Sequence, residues 1–151
     1  MGNKMLEHEM YPLISLRFQK DYKIFYEIPL LNSRKKIDIV CLKKNYKKSK
    51  NPEIIAIEAK VKDRKKVLHQ ALTRLSVADK VYIALYENYI SDNFLRCPTI
   101  EKYNIGVISV NGNASIVKKA KKSQLIIPSR KKRIIDDIMV NNIEVRFDAG
   151  D

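Results

Sequence analysis

Residues 54–61 form an apolar, β-prone run broken only by Glu58 and Lys60. Strand side chains alternate faces, so Glu58 and Lys60 are expected on one face, with Ile55, Ile57, Ala59 and Val61 on the other. Such a run predicts a strand buried on both sides. A charge in it is costly unless it is paired or binds a metal. Residues 23–31 and 36–42 predict two earlier strands, joined by a turn at 32–35, with Pro29 marking an edge or a strand end. In the second of these, Asp38, Val40 and Leu42 should share one face and Ile37, Ile39 and Cys41 the other. Asp38 is thus a second charge inside an apolar strand.

The 3/4 spacing of Leu6, Met10, Leu13 and Ile14, with the stem of Arg17, predicts a helix over 4–20, kinked at Pro12 or beginning regularly near it. Glu7 and Glu9 flank its apolar stripe. A second amphipathic helix is expected over 64–77, with Asp63 as N-cap and Val67, Leu68, Ala71, Leu72 and Leu75 facing inward. Gln70 sits at the edge of that stripe, an odd place for an amide, and His69 is expected at the surface. Residues 81–85 then read as a buried strand returning parallel to 54–61 by a crossover. A short helix broken by Pro98 is expected within 91–103. Residues 106–110 and 114–118 read as a hairpin turning at Asn111-Gly112. A last helix over 130–141, capped by Ser129, should dock through Ile134, Ile135, Ile138 and Met139, and 148–151 should fray.

Charge adds a partner to this pattern. The chain of 151 residues has 30 Lys and Arg against 17 Asp and Glu, a formal net charge of +13. A field of that sign attracts polyanions, nucleic acid first and an anionic membrane surface second. The loop 43–52 carries Lys43, Lys44, Lys47 and Lys48 around Tyr46. Arg64, Lys65 and Lys66 open one helix, and Arg130, Lys131, Lys132 and Arg133 open another, where the helix dipole disfavours cations. A bound anion would offset that. No apolar run approaches a membrane span of roughly 20 residues, and neither an aromatic RNA-stacking motif nor an amphipathic lipid helix is evident. The first residues lack the apolar core of a secretory signal, so a cytoplasmic, nucleoid-associated protein is expected. Two cysteines without a CxxC, and only two histidines, make a zinc site improbable. Cys41 reads as a buried reduced thiol.

Asp38 and Glu58 are the carboxylates a hard divalent ion such as Mg²⁺ takes, with phosphate and water completing its shell. The backbone carbonyl of Ala59 is a further candidate ligand. Lys60 is placed to orient or deprotonate a water, or to neutralise developing charge.

With Asp38 followed by Glu58-Ala59-Lys60 on adjacent strands, the chain resembles the PD-(D/E)xK nuclease superfamily over roughly residues 5–110. The segments Glu7-His8-Glu9-Met10-Tyr11-Pro12, Gln70-Ala71-Leu72-Thr73-Arg74 and Ala78-Asp79-Lys80-Val81-Tyr82-Ile83-Ala84 carry the likeness further. The resemblance implies a single α/β domain over 1–151. Its core is restriction endonuclease-like, αβββαβ, with a central mixed sheet flanked by helices and a C-terminal hairpin and basic helix added over 104–145. It implies Asp38 and Glu58 as metal ligands, Lys60 as the catalytic lysine, Glu7 or Glu9 as an extra acid and Gln70 orienting water. The activity it implies is Mg²⁺- or Mn²⁺-dependent hydrolysis of DNA to a 5′-phosphate, with branched or damaged DNA in repair, recombination or defence as candidate substrates. The alternative is a non-catalytic DNA-binding module of the same fold. Ile37 stands where many members have proline, and Arg74 takes the place of the tyrosine that marks the RecB-like branch. One small site can hardly cut two strands, so a homodimer is expected, through 106–117 or the last helix.

Overall fold

A computed structural model describes the backbone of residues 5–31 and 33–148, and the side chains of these as far as residue 140. The elements are α1 (Glu7–Phe18), β1 (Tyr22–Pro29), β2 (Lys36–Lys43), β3 (Ile54–Ala59), α2 (Arg64–Arg74), β4 (Lys80–Tyr86), α3 (Asp92–Leu95), α4 (Pro98–Lys102), β5 (Gly106–Asn111), β6 (Asn113–Lys118) and α5 (Pro128–Asp148). The strands make one six-stranded sheet in sequence order. β3, β4 and β5 run parallel, and the other neighbours are antiparallel. This is the mixed α/β sheet and the αβββαβ order that the patterning predicts.

Each face of the sheet carries its own apolar layer. On one face, Val67, Ala71 and Leu75 of α2 and its C-terminal flank, with Ile134 and Ile138 of α5, pack against Val40, Leu42, Ile54, Ala56 and Ile83. On the other, Met10, Tyr11, Ile14 and Phe18 of α1 cover Ile39, Cys41, Ile55, Ile57 and Ala59. Two layers explain why β3 is buried at every position.

Local chemistry sets the helix starts. Asp63 accepts from the Lys66 N–H at 3.0 Å and caps α2 as expected. Glu9 turns back to the Leu6 N–H at 2.9 Å and closes α1. Pro12 is accommodated inside α1, which runs on to Phe18. α5 begins at Pro128, two residues before the expected start, so Ser129 lies inside its first turn and is not the cap. Proline suits a first turn because its missing N–H would be unpaired there in any case.

The hairpin 106–118 is part of the main sheet. β5 is buried against β4, and β6 forms one edge of the sheet, with alternating burial. Gly112 supplies the left-handed turn, with φ +68°. The turn residue Asn32 and the expected fraying at 149–151 lie outside the described residues. Among the described residues no helix is long and apolar enough to cross a membrane.

Candidate active site

The β2–β3 ladder pairs Leu42 with Ile54 and continues to Ile39 with Ile57, where it stops. The next residues along each strand are Asp38 and Glu58, and from there the strands part. The amide of Ala59 donates to Asp38 Oδ2 at 2.8 Å in place of a ladder carbonyl. Strand alternation fails at the same point. Ile37 packs in the α2 layer with Val40 and Leu42, while Ile39 and Cys41 pack in the α1 layer. The expected common face for Ile37, Ile39 and Cys41 is therefore corrected, because β2 turns at Asp38. In β1 the residue across from Asp38 is Glu27, between the paired Tyr26–Ile39 and Ile28–Ile37. Glu27 has φ +54°, a left-handed conformation that costs a non-glycine residue about 1–2 kcal/mol. Its carboxylate receives the Tyr11 hydroxyl of α1 at 3.5 Å.

Glu58 has no solvent exposure. Arg74 Nε donates to its Oε2 at 2.9 Å, and Arg74 is itself buried. The rest of the guanidinium donates to the Lys36 carbonyl at 3.0 Å and to the Thr73 hydroxyl. Glu58 Oε1 is buried with no hydrogen-bond partner. Burial pushes the Glu58 carboxyl up to about 8, the Asp38 charge adds to this, and Arg74 opposes it.

Lys60 lies one residue past β3. Its N–H still reaches the Ala84 carbonyl at 3.1 Å, but its ammonium goes to Glu7 Oε1 of α1 at 3.2 Å. Glu58 and Lys60 thus diverge, one toward α2 and the other toward α1, instead of sharing the face expected of them. Beyond the strand end nothing holds the lysine to strand alternation. Between the two candidate acids of α1, Glu7 meets Lys60, and Glu9 is engaged in the cap.

Burial raises the Asp38 carboxyl above its ordinary range. The Ala59 amide counters this, and Glu7 and Glu27 add to it. The Tyr11 phenol is raised by burial and by the Asp38, Glu27 and Glu7 charges. Carboxylate charges at this end of the sheet thus raise both Asp38 and Glu58.

Asp38, the Ala59 backbone, Lys60 and Glu7 lie at this fork toward α1, and Glu58, next to them in the chain, turns toward α2 and Arg74. Gln70 stands on α2, its Oε1 buried without a partner, and it lines a separate cavity with Arg74. Of the expected nucleic-acid contacts, Lys43, Lys44, Lys47, Lys48, Arg64, Lys65, Arg130, Lys132 and Arg133 are exposed. Lys131 is not. It is buried against Asp79 Oδ2 at 2.8 Å and Asn51 Oδ1 at 2.7 Å, so its charge is answered inside the fold and is removed from the candidate contacts.

Sequence reasoning passed over Arg74, Tyr11 and Glu27 as site residues. A signal for Arg74 was present, since it stands seven residues after Val67 and three after Ala71 on the inward stripe of α2. Nothing in the local pattern marks Glu27, whose position depends on its left-handed backbone.

Among the described residues, no three His, Cys, Asp or Glu side chains are grouped so as to hold a metal. Mg²⁺, however, is commonly held by one or two carboxylates, with water and phosphate supplying the rest. Glu58 Oε1 has no donor in hydrogen-bond geometry, although the Asp38 N–H favours the Glu58 charge, and Asp38 has one oxygen beyond that given to Ala59, with the Tyr11 hydroxyl near its carboxylate. This donor set fits a hard divalent cation.

No family model matches the chain, and no curated protein matches it. Among solved structures, it is similar to a protein of unknown function from Silicibacter pomeroyi, with a TM-score of 0.64 and 17% identity over 93% of this chain and 89% of that one. That likeness shows the fold. A repair endonuclease from Pyrococcus abyssi matches with a TM-score of 0.48 and 16% identity, over 74% of this chain and 49% of the other.

Proposed function

We propose that the chain is a metal-dependent DNA endonuclease with its site at the β2–β3 fork. The observation that supports this most is the unpartnered Glu58 Oε1, buried beside Asp38 where the strands part. A buried carboxylate oxygen without a donor is costly, and a divalent cation shared with Asp38 would relieve it. When bound, such an ion stabilises negative charge on a phosphodiester and lowers the pKa of a ligated water.

The chain's own residues divide the remaining work. Asp38 is fixed by the Ala59 amide. Lys60 is partly exposed and long enough to hold a water or a phosphate oxygen, and Glu7 keeps its ammonium at the fork. Water attacks phosphorus in line and the 3′-oxygen leaves, which gives a 5′-phosphate and a 3′-hydroxyl. The basic loop and the exposed cations at the starts of α2 and α5 would carry the DNA backbone. A second copy of the chain would be needed to cut both strands of a duplex.

A second reading rests on Arg74. Its guanidinium on Glu58 Oε2 supplies positive charge of the kind a metal would bring, as suits a DNA-binding module that does not cut. The two readings part in an assay on linear, branched and single-stranded DNA with Mg²⁺, Mn²⁺ or EDTA, beside Lys60→Ala and Asp38→Asn. Cleavage abolished in EDTA and in both variants, with binding kept, supports the nuclease. Binding without cleavage on every substrate supports the module, and cleavage that survives EDTA and Lys60→Ala overturns the assigned site.

A further inference from the structure

A cavity of about 230 Å³ opens between the β1–β2 turn and the outer side of α2. Lys35, Lys36, Lys66, His69, Thr73 and Arg74 line it together with Gln70, and among the described residues no carboxylate does. Among the described residues no ion pair involves Lys35, Lys36 or Lys66. Arg74 forms a fixed wall, held by Glu58, the Lys36 carbonyl and Thr73. The arrangement is unfavourable as it stands. Like charges gathered around one concavity repel, and Lys66 lies in the first turn of α2, where the dipole disfavours a cation. An anion in the cavity reverses both effects.

We propose that this cavity, on the α2 side of the Glu58–Arg74 pair, is a binding site for a phosphate group. Lys35 and Lys66 provide exposed ammonium groups from two elements, and Arg74, held by Glu58, Thr73 and the Lys36 carbonyl, forms part of the wall. The site takes a phosphate of a nucleic-acid strand, so the inference rests on the nucleic-acid reading above. It names a contact on the α2 side that the basic loop and α5 do not supply. A free or terminal phosphate has the same chemistry, and the test separates the sources.

The experiment is fluorescence anisotropy with a single-stranded oligonucleotide in EDTA over a range of salt concentrations. Lys35→Glu/Lys66→Glu is compared with Lys121→Glu/Lys122→Glu, an exposed pair outside the cavity that changes the net charge equally. The Lys35/Lys66 pair is expected to weaken binding at least 10-fold more than the control pair. It should also lower the slope of log K against log salt by about 0.7, the single-strand value for the one phosphate no longer neutralised. Inorganic phosphate is titrated against the ¹⁵N-labelled protein in parallel. Shifts at Lys35, Lys66 and Thr73 assign the site to a free or terminal phosphate, and oligonucleotide binding without them assigns it to the backbone. Equal weakening by both pairs, with no shift on phosphate addition, overturns the site. Both measurements are made without metal. A failure of the proposed catalysis would appear in the cleavage assay alone and would leave this result standing.

Discussion

Arg74 Nε donates to Glu58 Oε2 at 2.9 Å, between two side chains that have almost no access to water. The guanidinium satisfies one oxygen of the carboxylate, and the other has no donor in hydrogen-bond geometry.

Replacing Arg74 with Met keeps most of the volume and removes the charge. Breaking one side of a buried pair typically costs about 3–5 kcal/mol, because the remaining charge is uncompensated. Arg74→Met should show a loss of that size in urea denaturation at about pH 9 with EDTA present, where Glu58 is ionised, and a smaller loss at about pH 6, where it holds its proton. If Glu58 is a metal ligand, Mg²⁺ should restore a large part of it. If Arg74 permanently takes the metal's place, Mg²⁺ should restore none.

The same carboxylate predicts a pH dependence. Glu58 is raised from 4.5 to about 8 in the folded protein, so between those values the folded state holds more protons than the unfolded state. Stability is then fully present below about pH 4.5, declines as pH rises, and is lost above about pH 8, by at most ~1.4 kcal/mol per pH unit. Denaturation of the metal-free protein at pH 5, 6.5 and 8 should show this fall. Mg²⁺ should stabilise more at pH 8 than at pH 5, because it binds the ionised form. A flat profile in EDTA would contradict the buried, under-compensated state of Glu58.

The order of elements was legible because period-two and period-3.6 patterns are strong here, with clear punctuation at Asp63, Pro98 and Asn111-Gly112. Asp38, Glu58 and Lys60 stood out because charges inside apolar strands need a cause. Their arrangement was less legible. Alternation is a rule for regular strands, and β2 turns at Asp38 while β3 ends at Ala59, so Glu58 and Lys60 part company. The basic start of α5 carried an ambiguity that only tertiary structure resolves. Lys131 looked like its neighbours, yet it is answered by Asp79, 52 positions earlier in the chain.

The two thiols should differ in reactivity. Cys41 has no solvent exposure, and burial raises its thiol well above the ordinary range. Cys97 is part-buried, next to α4. Brief treatment of the native protein with N-ethylmaleimide at pH 8 should modify Cys97 and spare Cys41, read by peptide mass spectrometry, with both modified in denaturant. Rapid native modification of Cys41 would argue against the packed α1 layer.

Lys131 and the loop lysines should separate stability from binding. Lys131 is held between Asp79 and Asn51, and Asp79 Oδ2 also accepts the Ile54 N–H at 2.8 Å, so one buried carboxylate ties α5 to the start of β3. Lys131→Ala leaves that carboxylate with a backbone donor but no counter-charge, and should cost about 3 kcal/mol in denaturation. It should leave the salt slope of DNA binding unchanged. Lys47→Ala and Lys48→Ala remove exposed charges from the loop. They should leave stability within about 0.5 kcal/mol and lower the salt slope by about 1 for each phosphate that the loop no longer neutralises. If Lys131→Ala lowers the slope while the loop variants do not, the DNA backbone lies against α5 and not against the loop.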